Sequence, residues 1–148
     1  MHLPTDDAAA LAAIEGAMVA IRRRQTRRAL ARTVPDADPA LFDVVDAVEA
    51  GERVTVTDVA AALDVAQPRA SKLVAAAVAA GLVRREADQR DGRRAFLALT
   101  ATGRELCDRV HATRRTRFAA ATRDWSADER VEFARLLTRF VDGLTDPS

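Results

Sequence analysis

The sequence has no tyrosine, two histidines and a single cysteine. One cysteine excludes an intramolecular disulfide framework, so packing and hydrogen bonds must hold the fold. Few side chains are suited to nucleophilic or acid–base work. No Gly-rich phosphate loop, Ser-His-acid arrangement or paired-carboxylate site stands out, so no enzyme and no cofactor are expected. No apolar run approaches the roughly 20 residues of a membrane-spanning helix. The opening residues, MHLPTDDAAA, lack the basic start of a signal peptide, so a cytoplasmic protein with no membrane partner is expected. Excess charge is missing too: the net charge is only +1. Any attraction to a polyanion must therefore come from local charge and not from the total.

What is plentiful is alanine, with valine and arginine. The chain is 49% hydrophobic over 148 residues, which fits one domain. Alanine buries little area, and burial contributes about 25 cal/mol per Å². A monomer core built on alanine would be thin, which favours an oligomer.

Residues Thr57 to Thr100 organise the rest. Thr57 can cap a short helix reaching Leu63, with Val59, Ala60 and Leu63 on one face. Asp64 falls where the chain must turn, and Asp tolerates the left-handed conformation better than most residues. A second helix runs from about Gln67 to Ala80, with Pro68 in its first turn, where a missing N–H costs little. Ala70, Leu73, Val74 and Ala77 form its packing face. Pro68, Lys72, Ala75 and Ala76, flanked by Arg69 and Ser71, form the opposite face. Gly81 ends the helix in the αL position. Two strands, Leu82–Ala87 and Ala95–Leu99, enclose the hairpin connector DQRDG. Helix, turn, helix and basic hairpin make a winged helix-turn-helix, a device for reading duplex DNA. Between Ala66 and Arg94 positive side chains exceed negative ones by four.

The run AAGLVRREADQRDGRRAFLALTATG resembles the MarR family of bacterial winged-helix regulators, named for multiple antibiotic resistance. The resemblance rests on the Ala-Gly-Leu-Val helix exit, on the wing pattern Asp88, Arg90, Asp91, Arg93, and on Leu99, Thr100 and Gly103 leading into the next helix. It implies a homodimer binding double-stranded DNA, most often as a repressor. A two-fold dimer reads an inverted repeat with half-sites about one helical turn apart. It also implies a small-molecule effector, often an aromatic or lipophilic anion, bound between dimer arm and reader. By the same resemblance Arg90 is the wing-tip residue and Asp88 helps hold the wing geometry.

The candidate DNA-binding residues are Gln67, Pro68, Arg69, Ser71 and Lys72 on the reading helix, and Arg90, Arg93 and Arg94 on the wing. Polar side chains of the helix can bond bases or phosphates, and wing arginines suit the negative minor groove. Asp88 and Asp91 are wing-positioning candidates, with Asp91 expected to pair with Arg93 or Arg94. Two departures from the family matter. Ala66 stands where a Ser cap is common. Ala75 and Ala76 stand where polar residues are common; they can touch thymine methyls but cannot hydrogen-bond.

The flanks are helical. A first helix is expected over residues 5–33, with Leu11, Ile14, Met18 and Ile21 as an apolar stripe. Its arginines, Arg22 to Arg32, read as a solvated face that complements the helix dipole, or as a contact to an anion. Asp38-Pro39 opens a helix with Leu41, Val44, Val45 and Val48 on one face, closed by Gly51. Residues 53–57 are β-rich and should add a strand to the wing sheet. Thr100, or Thr102 with Glu105, caps a long helix to about Asp124, with Leu106, Val110, Phe118, Ala121 and Trp125 aligned. Ser126 and Glu129 box the start of the last helix, whose apolar face is Phe133, Leu137, Phe140, Val141 and Leu144.

The expected fold is mainly α with a small β-hairpin wing. It is a single domain of residues 1–148: an N-terminal dimerisation helix in 1–35, the winged helix-turn-helix in 36–100, and C-terminal dimerisation helices in 101–148. Cys107 and His111 have the spacing of two metal ligands but lack further ligands nearby. Cys107 reads as a small buried residue; peroxide-sensing members of the family carry their reactive cysteine near the N-terminus, where this chain has none. A constitutive architectural DNA binder and a protein-interaction module remain the alternative functions.

Overall fold

The computed structural model describes residues 6–26 and 38–145. Arg27, Arg28, Arg32 and the connector 34–37 lie outside the described residues. The elements in order are α1 (Asp7–Thr26), α2 (Pro39–Ala50), α3 (Val56–Leu63), α4 (Gln67–Ala79), β1 (Val83–Ala87), β2 (Ala95–Leu99), α5 (Ala101–Ala121) and α6 (Ala127–Thr145). The chain divides into two compact units, residues 1–111 and 112–148, with α5 running from one into the other.

Local chemistry sets the ends of the helices in the first unit. Asp6 accepts from the Ala9 N–H at 2.7 Å, which starts α1. Asp38 accepts from the Ala40 N–H at 2.9 Å, and Pro39 sits in the first turn of α2. A capping box opens α3: Thr55 Oγ1 accepts from the Asp58 N–H, and Asp58 accepts from the Thr55 N–H at 2.8 Å. Thr57, expected as the cap, lies inside the helix; Thr55 takes the role because Asp58 stands three residues after it. The Thr55 N–H also holds the Asp58 carboxyl below its ordinary range. Asp64 ends α3 in the left-handed region, φ 53° and ψ 51°. The helix α4 closes in a Schellman arrangement. Gly81, at φ 75°, gives its N–H to Val78 O, and Leu82 gives its own to Ala77 O.

The two strands pair antiparallel, Val83 with Leu99 through Ala87 with Ala95. Residues 53–57 add less than a strand. A single bridge joins Val54 to Leu97, whose N–H reaches Val54 O at 2.8 Å. The onset of α3 at Val56 prevents a longer pairing.

The core gathers Val44, Val45 and Val48 of α2, Val59 and Ala60 of α3, Ala70, Val74 and Ala77 of α4, Val83 and Leu97 of the hairpin, and Cys107 of α5. Five of its six largest fully buried side chains are valines. Valine is stiff about χ1 and loses little freedom on burial, so this small core is better defined than an alanine one. A satellite cluster joins Phe42 to Leu106 and Val110.

Where α5 begins, Thr100 Oγ1 accepts from the Gly103 N–H at 3.0 Å and donates to Gly81 O. Thr100 is therefore the cap, and Thr102 lies within the helix. A Cβ on Gly103 would collide with the Leu82 carbonyl, so this position admits only glycine. The helix ends at Ala121, short of Asp124.

In the second unit, Ser126 and Glu129 form the expected capping box. Arg130 donates to Thr122 O at 2.8 Å, and Trp125 meets Phe133 edge to face at 5.2 Å. No residue of α6 is buried.

Candidate nucleic-acid interface

The helix-turn-helix is α3, the left-handed Asp64 and α4. Burial of Ala70, Val74 and Ala77 fixes the rotation of α4 about its axis, because these positions share one face. The same rotation leaves Gln67, Pro68, Arg69, Ser71, Lys72, Ala75 and Ala76 exposed. Ala66 stands at the N-cap with an extended backbone, φ −67° and ψ 150°, and offers no side-chain cap. The first N–H groups of α4 thus lack the partner a Ser would supply. Ala66, Pro68 and Leu73 line a small apolar dimple with the stems of Arg69 and Lys72.

The wing is the β1–β2 hairpin. Its strands are anchored by Val83 and Leu97, both buried. In its turn, the Asp88 N–H bonds Arg94 O at 2.9 Å and the Arg94 N–H bonds Asp91 O at 3.0 Å. Two carboxylates hold backbone amides. Asp88 Oδ1 accepts from the Arg90 N–H at 2.9 Å, and Asp91 Oδ1 accepts from the Arg93 N–H at 3.1 Å. The expected side-chain pairing of Asp91 with Arg93 or Arg94 is not formed. Asp91 instead holds the turn through Arg93's amide, a two-residue reach that a short Asp side chain makes easily.

Electrostatically the two halves agree. Arg69, Lys72, Arg90, Arg93 and Arg94 are exposed and form no ion pair with another described residue. By contrast Arg84 is spent on Glu86 at 2.7 Å. The local positive excess therefore sits on α4 and the wing turn, with Arg85 adding to it from β1.

Sequence reasoning missed Arg53. It lies in the turn before α3 with φ 52°, its guanidinium 4.4 Å from the Phe96 ring centre and 3.3 Å from Asp88 Oδ1. A β-rich reading of residues 53–57 could not reveal it, since its partners are distant in sequence.

Cys107 is buried, and its neighbour His111 bonds Glu49 Oε1 through Nε2 at 2.7 Å. The ring is thus committed to α2. No group of three or more His, Cys, Asp or Glu able to hold a metal occurs among the described residues.

These observations define a class: a winged helix-turn-helix fold with long helices before and after it. The MarR family model matches residues 38–94, the segment from α2 to the wing turn. The fold extends the likeness. A MarR family protein from Bacillus stearothermophilus superposes with TM-score 0.77 at 21% identity, over 96% of this chain and 100% of that one. An S. aureus MepR mutant bound to oligodeoxyribonucleotide gives TM-score 0.59 at 20% identity, over 90% and 97% of the two chains. S. aureus MepR bound to ethidium bromide gives 0.62 at 19%, over 88% and 96%. No curated protein sequence matches this chain. No helix among the described residues is long and apolar enough to cross a membrane.

Proposed function

We propose that this protein is a sequence-specific DNA-binding transcriptional regulator. It acts as a homodimer on an inverted repeat, as a ligand-responsive repressor in the cytoplasm. The observation that carries this reading is the pair of exposed basic groups that form no ion pair with another described residue: Arg69 and Lys72 on a helix held by its opposite face, and Arg90, Arg93 and Arg94 on a wing turn fixed through its amides. In this reading α4 enters the major groove with Gln67, Pro68, Arg69, Ser71 and Lys72, and Arg90 enters the minor groove. The oligonucleotide complex of a MepR mutant supports the DNA partner, and the ethidium complex supports a small-molecule effector. The chain serves as one MarR-like domain, with residues 36–100 as the reader and 1–35 and 101–148 as dimerisation helices.

The test is selection of duplexes from a random pool by the purified protein. An inverted repeat with half-sites about one helical turn apart should be enriched. Its complex should weaken with salt and be absent with scrambled DNA. Equal binding to scrambled DNA would indicate an architectural binder. No binding at any salt would favour a protein-interaction module.

A further inference from the structure

We infer that Arg53 is a positioning residue for the wing, acting on DNA recognition through Asp88 and Arg90 without touching DNA. The inference rests on the proposed reading of Arg90 as the wing-tip contact.

Three independent features meet at Arg53. Its backbone is in the left-handed region at φ 52°, which a long side chain adopts only at a cost. Something in the fold must hold it there. Its guanidinium lies 4.4 Å from the centre of the Phe96 ring, a cation–π stack on β2. The same guanidinium reaches Asp88 Oδ1 at 3.3 Å, and the Asp88 side chain is only 10% exposed. That oxygen also accepts from the Arg90 N–H at 2.9 Å. One carboxylate oxygen therefore joins the turn before α3 to the amide of the wing-tip residue.

The link is anchored at both ends. Next to Arg53, Val54 is buried and bridges Leu97, the neighbour of Phe96. The planar guanidinium thus stacks on one strand while pairing with the turn that follows the other. A hairpin turn with only its own bonds could tilt about its strands. Fastening Asp88 to a residue outside the hairpin restrains that tilt, and with it the direction of Arg90.

Arg53→Asn separates this role from the others. Asn is enriched in the left-handed region, so the backbone is retained while the stack and ion pair are lost. Arg90→Ala, the double variant and Arg53→Lys complete the set. Affinity is read by fluorescence anisotropy with a duplex recovered from a random pool by the wild-type protein. Amide exchange at Arg90 is read by NMR on the free protein. Arg53→Asn should weaken binding by roughly 3- to 10-fold, the loss of an exposed to partly desolvated cation–π pair. It should speed exchange of the Arg90 amide and leave the melting temperature near wild type. Arg53→Lys should restore part of the affinity. In the Arg90→Ala background, Arg53→Asn should have no further effect on binding. Additive losses would overturn the inference by making Arg53 a direct contact. Wild-type affinity in Arg53→Asn, with Arg90→Ala impaired, would overturn the inference and leave the function standing. Wild-type affinity in Arg90→Ala would remove the reading on which both depend.

Discussion

At the scale of single residues, the helix-turn-helix divides into side chains that fix geometry and side chains turned to solvent. Ala70 and Val74 have no alternative to the core, and Lys72, between them in sequence, is thereby turned outward. Lysine is a flexible point charge and suits a phosphate better than a bidentate base contact. Lys72→Ala should therefore weaken binding about equally across DNA sequences and lower the salt slope by roughly 1. Titrations of the selected duplex and a one-base variant at several salt concentrations check this. Relaxed discrimination at one base pair would make Lys72 a base reader instead. Cys107 offers a prediction of another kind. Burial first, then a hydrogen bond to Glu49 and the charges of Glu49, Asp46 and Asp108, push its thiol from 9.0 up to about 12. The unfolded thiol ionises near 9, so the folded chain binds more protons between the two values. Its contribution to stability is full below pH 9 and is lost as pH rises toward 12. Urea midpoints on either side of pH 9 should fall more for wild type than for Cys107→Ala. Parallel falls would show that the thiol is not responsible.

At the scale of elements, α4 is the helix whose start is least secured. Ala66 already has the extended backbone of an N-cap and lacks only the oxygen. Ala66→Ser should raise stability by about 1 kcal/mol, the ordinary worth of a Ser cap. A urea midpoint no higher than wild type would mean the end of α4 is satisfied in another way. This absent cap was legible in the sequence, as were the left-handed Asp64 and Gly81, because those features depend on local backbone chemistry alone. The hairpin and its arginines were legible for the same reason. Competing local signals were harder. Thr55 and Thr57 could both cap α3, and Asp58 decides for Thr55 by closing a box. Thr102 and Glu105 have the spacing of a box as well, yet Thr100 wins. It is tied to Gly81 O and to the Leu82 carbonyl, and Gly103 lets the helix approach that carbonyl. Those ties join α5 to the α4–β1 turn, which periodicity does not encode. Arg53 was illegible throughout, since its meaning lies in Phe96 and in Asp88, 35 residues away.

At the scale of the whole molecule, the apolar residues divide sharply between the two ends of the chain and its middle. Around the helix-turn-helix they are buried, and in α1 and α6 they are not. Leu11, Ile14, Met18 and Ile21 of α1 are 37–60% exposed. In α6, Phe133, Leu136, Leu137, Val141 and Leu144 are 39–65% exposed. A stripe of this length at helical spacing is costly in water, and under the proposed function it serves as a protein contact. The capping box at Ser126 and the Arg130 bonds show that α6 is well started without any such contact, so the exposure is not a frayed end. In the proposed dimer these stripes meet those of a second copy. Placing charge in the stripe, as Leu137→Asp with Val141→Asp, should leave the helix formed, because both residues are exposed within the described chain. It should convert the protein from dimer to monomer in light scattering. The monomer should still bind a single half-site weakly, and should lose the gain from linking two half-sites, which can reach about 100- to 10,000-fold. Circular dichroism on the same samples separates dissociation from unfolding. A double variant that remains dimeric and binds the inverted repeat as tightly as wild type would place the dimer contact away from α6, and the assignment of residues 101–148 to dimerisation would fail.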